Sequence, residues 1–283
     1  MHKLIIRKFS NYCIKNKTVM ITGATSGIGE ACAWEFSKYA NTEKLILVGR
    51  KKDKLQYLKK NIEEKTDSRV STAILDVRDQ KECLNITEQL PNDFKNIDIL
   101  INNAGIALGV DSIENNCLES AKKTLDTNVL GILNLCKSII PGMIERNSGH
   151  IINIGSIAGH FPYANGSIYN ASKFAVKGLT DAARMDLVET PLRVTHISPG
   201  MVSGTDFSIT RFGGSNSYEA IKKAKQVYEN IVPLKPEDIA NNVVYVATRP
   251  PHCQITELTM MATNQTGPRT IDIARVGNKL GAK

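Results

Sequence analysis

Short aliphatic runs alternate along this chain with longer stretches whose apolar positions recur every three or four residues. Thr18-Val19-Met20-Ile21 is short, β-branched and apolar, the pattern of a buried strand. Ile28, Ala31, Cys32 and Phe36 then share one face of a helix. Lys44 to Val48 predicts a second strand, and Leu55, Leu58 and Ile62 mark the helix after it. Further strands are predicted over Val70–Leu75, Ile97–Ile101 and His150–Gly155, with a last one over Leu258–Met261. Helices are expected over Leu125–Ile140 and Tyr169–Val188, over Tyr218–Asn230, and from Pro236 onward. This alternation from Thr18 to at least Gly200 predicts the α/β class: a doubly wound parallel sheet in a three-layer α/β/α arrangement. One domain is expected over 18–266, with a substrate lid near 203–230 around the flexible Gly213-Gly214-Ser215-Asn216-Ser217. A basic arm (1–17) precedes it and a basic tail (267–283) follows.

Charge changes the picture only at the ends. The formal net charge is +8, of which residues 1–17 carry +5 and residues 268–283 carry +3. The folded body is therefore neutral overall, and a nucleic-acid-binding face on it is not expected. No apolar run reaches transmembrane length, so no membrane partner is expected either. Six cysteines are scattered without metal-binding or disulfide spacing, which suits reduced thiols in the cytoplasm. The acid-free N-terminus leaves a mitochondrial presequence as the alternative. The five histidines are dispersed in the sequence, and no metal is expected.

Candidate chemistry begins where the first strand ends. Thr22-Gly23-Ala24-Thr25-Ser26-Gly27-Ile28-Gly29 links a strand to a helix, the context of a dinucleotide-binding turn. Its glycines let backbone approach a pyrophosphate at the helix N-terminus. An acid about 20 residues further on would grip an NAD ribose. Here Arg50 stands 21 residues after Gly29, followed by Lys51 and Lys52. A guanidinium suits a 2′-phosphate, so NADP is the expected cofactor. The alternative is that this basic run is the solvated start of a helix. Asp76, followed by Val77, is either an acceptor for the adenine amino group or a helix N-cap. Asn102-Asn103-Ala104-Gly105 closes the fourth strand with small and amide residues suited to close passage of a ribose.

Ser156 ends the fifth strand, thirteen residues before Tyr169, and Lys173 follows Tyr169 by four. That spacing places Tyr169 and Lys173 on one helix face. The reference pKa of a phenol is about 10, and a nearby ammonium favours the phenolate. Ser156 can donate to an oxygen gaining negative charge. The triplet suits proton transfer at a carbonyl or alcohol oxygen. A Y-x-x-x-K pair occurs by chance in most chains this long, so its meaning rests on this context. Asn128, on an otherwise apolar helix face, is either a satisfied core residue or part of the site.

The ordered set Thr22-Gly23-x-x-x-Gly27-x-Gly29, Asn102-Asn103-Ala104-Gly105, Asn128, Ser156, Tyr169-x-x-x-Lys173 and Pro199-Gly200 resembles the short-chain dehydrogenase/reductase family over roughly 18–265. The resemblance implies a Rossmann fold and an NAD(P)-dependent oxidoreductase. It implies a homotetramer, or a dimer, acting on a small-molecule substrate. It assigns the acid/base to Tyr169, ribose binding and phenolate promotion to Lys173, carbonyl polarisation to Ser156 and a relay water to Asn128. Gly23, Thr25, Ser26, Gly27, Ile28, Gly29, Asn103, Ala104, Gly105, Pro199, Gly200, Val202 and Thr205 fall at cofactor positions. A narrower likeness, carried by Ile99–Gly109, Gly155–Gly159, Gly166–Tyr169, Phe207–Phe212 and Ala262–Gln265, is to NADP-dependent 3-hydroxy acid dehydrogenases. Their substrates are serine, allo-threonine, 3-hydroxyisobutyrate and 3-hydroxypropionate types. Arg211 is the candidate for the substrate carboxylate, a surface arginine being the alternative. There are two departures. Gly204 is an extra residue before Thr205, and His160 stands where that subgroup often has arginine. A carbonyl, sterol or ketoacyl reductase, and a non-catalytic NADP sensor, are the other readings.

Overall fold

The computed structural model describes residues 13–213, 217–229 and 231–268. Seven strands form one parallel sheet: β1 (Thr18–Thr22), β2 (Lys44–Gly49), β3 (Arg69–Ile74), β4 (Ile99–Asn102), β5 (His150–Ile154), β6 (Arg193–Pro199) and β7 (Glu257–Met260). The principal helices are α1 (Gly27–Lys38), α2 (Lys52–Lys65), α3 (Leu118–Glu145), α4 (Ser167–Asp186), α5 (Phe207–Arg211), α6 (Tyr218–Gln226) and α7 (Pro236–Ala247). The strand order is β3-β2-β1-β4-β5-β6-β7. The order reverses between β1 and β4, and a crevice opens there beyond the strand ends. This is the expected doubly wound α/β/α fold.

The pleat divides the core in two. Val19, Ile21, Leu45, Leu47, Ile99 and Ile101 face one side, where Phe36 of α1, Leu55 of α2 and Ile239 of α7 close over them. Met20, Ile46, Leu100 and Ile151 face the other, against Leu135, Ile139 and Met143 of α3. Strands covered on both faces read as continuous apolar runs, which is why β1, β2, β4 and β5 were visible in the pattern. β6 was not: Thr195, His196 and Ser198 are polar yet wholly buried. α3 begins seven residues before its expected start at Leu125. Its first turns bury only Ala121 and Thr124, so they show no apolar stripe. By length and composition α3 could cross a membrane. Here it buries Ile132, Leu135, Ile139 and Met143 in the protein. A π-turn interrupts it at Asp126–Leu130.

The expected arm and tail lie mostly outside the described residues. Of the arm, residues 13–17 are described: Ile14 is buried, and Lys17 Nζ reaches Asp98 Oδ1 at 2.9 Å.

One buried charge sits in the α1–α7 packing. Glu35 is 7% exposed, and among the described residues its Oε2 has no hydrogen-bond partner. Burial pushes its pKa from 4.5 up to about 7, Glu237 adds to this, and Lys38 opposes it. A carboxyl raised in the folded state lends stability that is complete below its unfolded pKa and lost as pH rises through about 7. Glu35→Gln should therefore raise the melting temperature by on the order of a few degrees at pH 8.5 and barely change it at pH 4. Thermal melts across this range check it, and a gain independent of pH would contradict the assignment.

Candidate active site

The β1 and β4 ends are stitched together before any site is built. Thr22 Oγ1 accepts from Asn103 N at 3.0 Å and from Ala104 N at 2.9 Å. Asn103 Nδ2 donates back to Thr22 O at 2.8 Å and Gly23 O at 3.3 Å. Gly23 and Gly27 adopt φ of +64° and +58°, a region that favours glycine. A Cβ on Gly29 would stand 2.4 Å from Gly23 O, so the helix can begin this close to the strand only with glycine there. Ser26, the N-cap of α1, makes no side-chain capping bond, which leaves first-turn N–H groups for an anion.

A cleft of about 600 Å³ opens over this edge. Gly23, Thr25, Ser26, Gly27 and Ile28 line it, as do Arg50, Lys51, Asp76 and Val77. Asn103, Ala104, Gly105, Pro199, Gly200, Val202 and Thr205 complete its dinucleotide side, and Ser156, Tyr169, Lys173 and Arg211 its far end. Gly29 and Asn128 do not line it; Gly29 acts through the turn behind the cleft.

The extra Gly204 is absorbed by a φ of +72°. Thr205 stays in the cleft wall, so close that a Cβ on Gly27 would fall 2.9 Å from its methyl. Arg50 Nη1 is 3.8 Å from Asp76 Oδ2. Asp76 is held more tightly by Arg78, which donates at 2.9 and 2.6 Å to its two oxygens. Those hydrogen bonds hold the Asp76 carboxyl below its ordinary pKa. Arg78 thus takes up much of the accepting capacity expected of Asp76, and Arg50 remains largely exposed.

Tyr169 and Lys173 lie on α4 as the spacing predicts, and Ser156 hydrogen-bonds the Tyr169 phenol. Beside the expected neighbouring ammonium, the phenol meets a second influence, burial. Burial is the main influence on Tyr169 and pushes its pKa up; Tyr163 adds to this, while the Ser156 hydrogen bond and the Arg211 charge oppose it. Lys173 is itself buried, which lowers its pKa to about 8, and its Nζ donates to Ile154 O at 2.9 Å. Two cations stand near the Tyr169 ring: Arg211, 5.7 Å from its centroid, whose charge lowers the phenol pKa, and Lys173, 5.8 Å from it.

Asn128 lies in the π-turn of α3. Its Oδ1 accepts from Ile106 N at 2.8 Å, and its Nδ2 donates to Ile106 O at 2.8 Å and Ser172 Oγ at 3.0 Å. Ser172 in turn donates to Tyr169 O at 2.7 Å. The side chain thus clamps the loop after β4 to the tyrosine turn, and one Oδ1 lone pair is left for a water.

Arg211 ends α5, and its guanidinium is pinned rather than free to swing. It donates to Gly109 O at 3.2 Å, Tyr163 Oη at 2.7 Å and Asn165 O at 3.3 Å. All three acceptors are neutral, and among the described residues no carboxylate forms an ion pair with it. Three cleft residues escaped the sequence reading. Tyr163 braces Arg211, Phe207 packs edge-on against Tyr169 at 5.4 Å, and Tyr228 Oη bonds Ser208 Oγ at 2.8 Å and Val202 O at 2.9 Å. No residue spacing marks aromatic rings that meet across loops.

Comparison with known proteins adds four findings. The family pattern described as short chain dehydrogenase matches residues 17–213. The chain is 43% identical over 247 residues to the NADP-dependent 3-hydroxy acid dehydrogenase YdfG of Salmonella typhi, covering 87% of this chain and 95% of that one. It is 38% identical over 248 residues to sulfoacetaldehyde reductase 2 of Chromohalobacter salexigens, covering 87% and 94%. Among solved structures, the closed form of a serine dehydrogenase complexed with NADP+ superimposes with a TM-score of 0.81 at 40% identity, covering 88% of this chain and 96% of that one.

Proposed function

This chain belongs to the short-chain dehydrogenase family, and we propose that it is an NADP-dependent oxidoreductase. It moves a hydride between the nicotinamide and the hydroxyl-bearing carbon of a small 3-hydroxy acid. The observation that carries the substrate class is Arg211, a pinned guanidinium facing the Tyr169 ring with only neutral partners. A half-buried cation of this kind is complemented by an anionic substrate. The relatives' names fit the same geometry. In a 3-hydroxy acid and in sulfoacetaldehyde alike, one carbon separates the anionic group from the carbon that exchanges hydride. L-serine, L-allo-threonine, 3-hydroxyisobutyrate and 3-hydroxypropionate share that layout.

The cleft fits the cofactor. The α1 N-terminus and the glycine turn would receive the pyrophosphate, Arg50 and Lys51 the 2′-phosphate, and Asp76 and Val77 the adenine. Asn103, Ala104, Gly105 and Lys173 would hold the nicotinamide ribose, and Pro199, Gly200, Val202 and Thr205 the nicotinamide end. NADP, when bound, supplies the hydride acceptor or donor.

The protein's own groups manage the proton and the orientation. Arg211 holds the carboxylate, which turns the β-hydroxyl towards Tyr169 and Ser156. Tyr169 takes the hydroxyl proton in oxidation and returns it in reduction. Ser156 donates to the same oxygen while it carries negative charge. Burial depresses Lys173 and elevates Tyr169, which moves the two pKa values apart and holds Tyr169 as the neutral phenol that donates in reduction. Asn128 fixes the loops that flank them. The described parts of segment 203–230, held by Ser208 and Tyr228, would form the lid of a domain spanning 18–266, with Gly214, Ser215 and Asn216 lying outside the described residues. A carbonyl or sterol reductase would have no need for a cation here, and a cofactor sensor would not need the Ser156–Tyr169 pair.

We place the protein in the cytoplasm as a homotetramer, with a dimer as the alternative. Free thiols at all six cysteines support a reducing compartment. Exposed Leu118, Leu130 and Leu133 on α3, with Phe174 and Met185 on α4, support burial against other copies. Light scattering at micromolar concentration should show a tetramer, and a species of 31.1 kDa alone would overturn it.

Arg50→Ala should weaken NADP binding by about tenfold or more, the worth of a charge-assisted contact, and leave NAD binding nearly unchanged. Equal losses would make Arg50 a structural residue. The function itself is tested by comparing two variants on three substrates: L-serine, 3-hydroxyisobutyrate and an uncharged ketone. Tyr169→Phe should lower kcat on all three by about a hundredfold or more. Arg211→Met should lower kcat/KM by about tenfold or more for the two acids only. A uniform effect of Arg211→Met would remove hydroxy acids from the substrate list.

A further inference from the structure

Two of the five histidines, 36 positions apart in the sequence, meet in the fold. His160 follows the 3-10 turn Ile157–Gly159, which Ser156 begins. His196 lies in β6 and Glu257 opens β7. Their potential ligand atoms lie within 4.8 Å of one another. His160 Nε2 is 2.6 Å from Glu257 Oε1, and His196 Nδ1 is 3.6 Å from that same oxygen. Ser198 Oγ closes the ring, 3.0 Å from His160 Nε2 and 3.1 Å from His196 Nδ1. None of these residues lines the cofactor cleft.

We propose that His160, His196 and Glu257 form a binding site for a divalent transition-metal ion of the zinc type. Two imidazoles and one carboxylate make up a zinc donor set, whereas magnesium and calcium favour all-oxygen sites. Zinc bonds of about 2.0–2.1 Å at tetrahedral angles set neighbouring donors about 3.3 Å apart. Glu257 Oε1 stands 2.6 and 3.6 Å from the two imidazole nitrogens, distances that bracket that value, and the three ligand atoms, all within 4.8 Å of one another, need shift by no more than about 1.5 Å. Ser198 Oγ is placed to orient a water in the fourth position.

The surroundings suit the ion. His196 is buried, with Nδ1 3.1 Å from Ser198 Oγ and 3.6 Å from Glu257 Oε1. Glu257 faces both imidazoles and Lys177, the setting of an ionised carboxylate. Lys177 Nζ bonds Glu257 Oε2 at 3.3 Å, which leaves Oε1 for the histidines. Asp181 Oδ2, 2.9 Å from that same Nζ, offsets its charge. Side-chain exposures of 18% for His160 and 28% for Glu257 leave a route of entry. A bound ion would clip the turn that carries Ser156 to β6 and β7. The ring of His196 fits beneath that turn because residue 155 is glycine; a Cβ there would lie 2.0 Å from Nε2.

The test uses the full chain, stripped with a chelator and titrated first with Co²⁺ and then with Zn²⁺. Visible bands of a four-coordinate nitrogen–oxygen site should saturate at one equivalent and disappear as Zn²⁺ displaces cobalt. Zn²⁺ should also raise the melting temperature. His160→Gln and Glu257→Gln should each weaken Co²⁺ binding by at least tenfold, and His252→Gln should not. Melting and circular dichroism of the metal-free variants check that they are folded, and His160→Gln, at a partly exposed turn, keeps the test available if Glu257→Gln is not. Absence of saturable binding would overturn the proposal and leave the cluster as an ion pair bracing the turn. Thiolate-to-cobalt bands, or one-equivalent binding that survives His160→Gln, would overturn it in favour of a cysteine or surface site.

Discussion

The whole active edge depends on one stitch between neighbouring strands. Where the strand order reverses, β1 and β4 run side by side and their connections leave in opposite directions. Left alone, their last residues would present unpaired backbone groups to the crevice. Thr22 and Asn103 satisfy them reciprocally, the hydroxyl accepting two N–H groups and the amide donating to two carbonyls. This closes the floor of the cleft without a bulky side chain. It also explains why Gly29, absent from the cleft wall, belongs to the site. It lets α1 start against Gly23 O and so brings the first-turn N–H groups to the edge.

At the far end the dominant force is desolvation. It moves Tyr169 and Lys173 in opposite directions, each towards its neutral form. Two groups with reference values near 10 therefore do not simply stabilise one another's charge. Pinned Arg211 is a compensating cation, and among the described residues it has no counter-carboxylate of its own. The spacing of Tyr169 and Lys173 names the partners, but the sign of the net effect on each depends on burial and on a residue 42 positions beyond Tyr169.

That difference marks where the sequence stops being legible. Strands covered on both faces betray themselves as apolar runs, and glycines betray themselves where the backbone has no room for Cβ. Fold class, the glycine turn, Arg50 and the Ser156–Tyr169–Lys173 set could therefore be placed from residue type and spacing. β6 could not, because its buried Thr195 and Ser198 find partners in Ile255 and His160, far along the chain, that no local pattern reveals. The early turns of α3 could not, because they bury too little to show a stripe. Tyr163 and Phe207 act through contacts between loops. His160 was visible only as a departure from arginine, and the meeting of His160 with His196 follows from the register of β5, β6 and β7.

Arg211 shows how position and chemistry combine. A flexible surface arginine would spend side-chain entropy in meeting a small acid, and water would screen the pair. Here three neutral acceptors already hold the guanidinium plane, and Gly109 N donates in return to the Arg211 carbonyl at 3.2 Å. The loop after β4, the turn before α4 and the lid helix α5 thus converge on one cation. Each neutral acceptor eases its desolvation but leaves its charge in place. On the proposed function, that residual charge would attract an anion and fix where its neighbouring carbon lies relative to Tyr169. Specificity for an acid over a ketone would then come from the same contacts that hold α5 to the body, and recognition of the carboxylate and positioning of the hydroxyl would be one event.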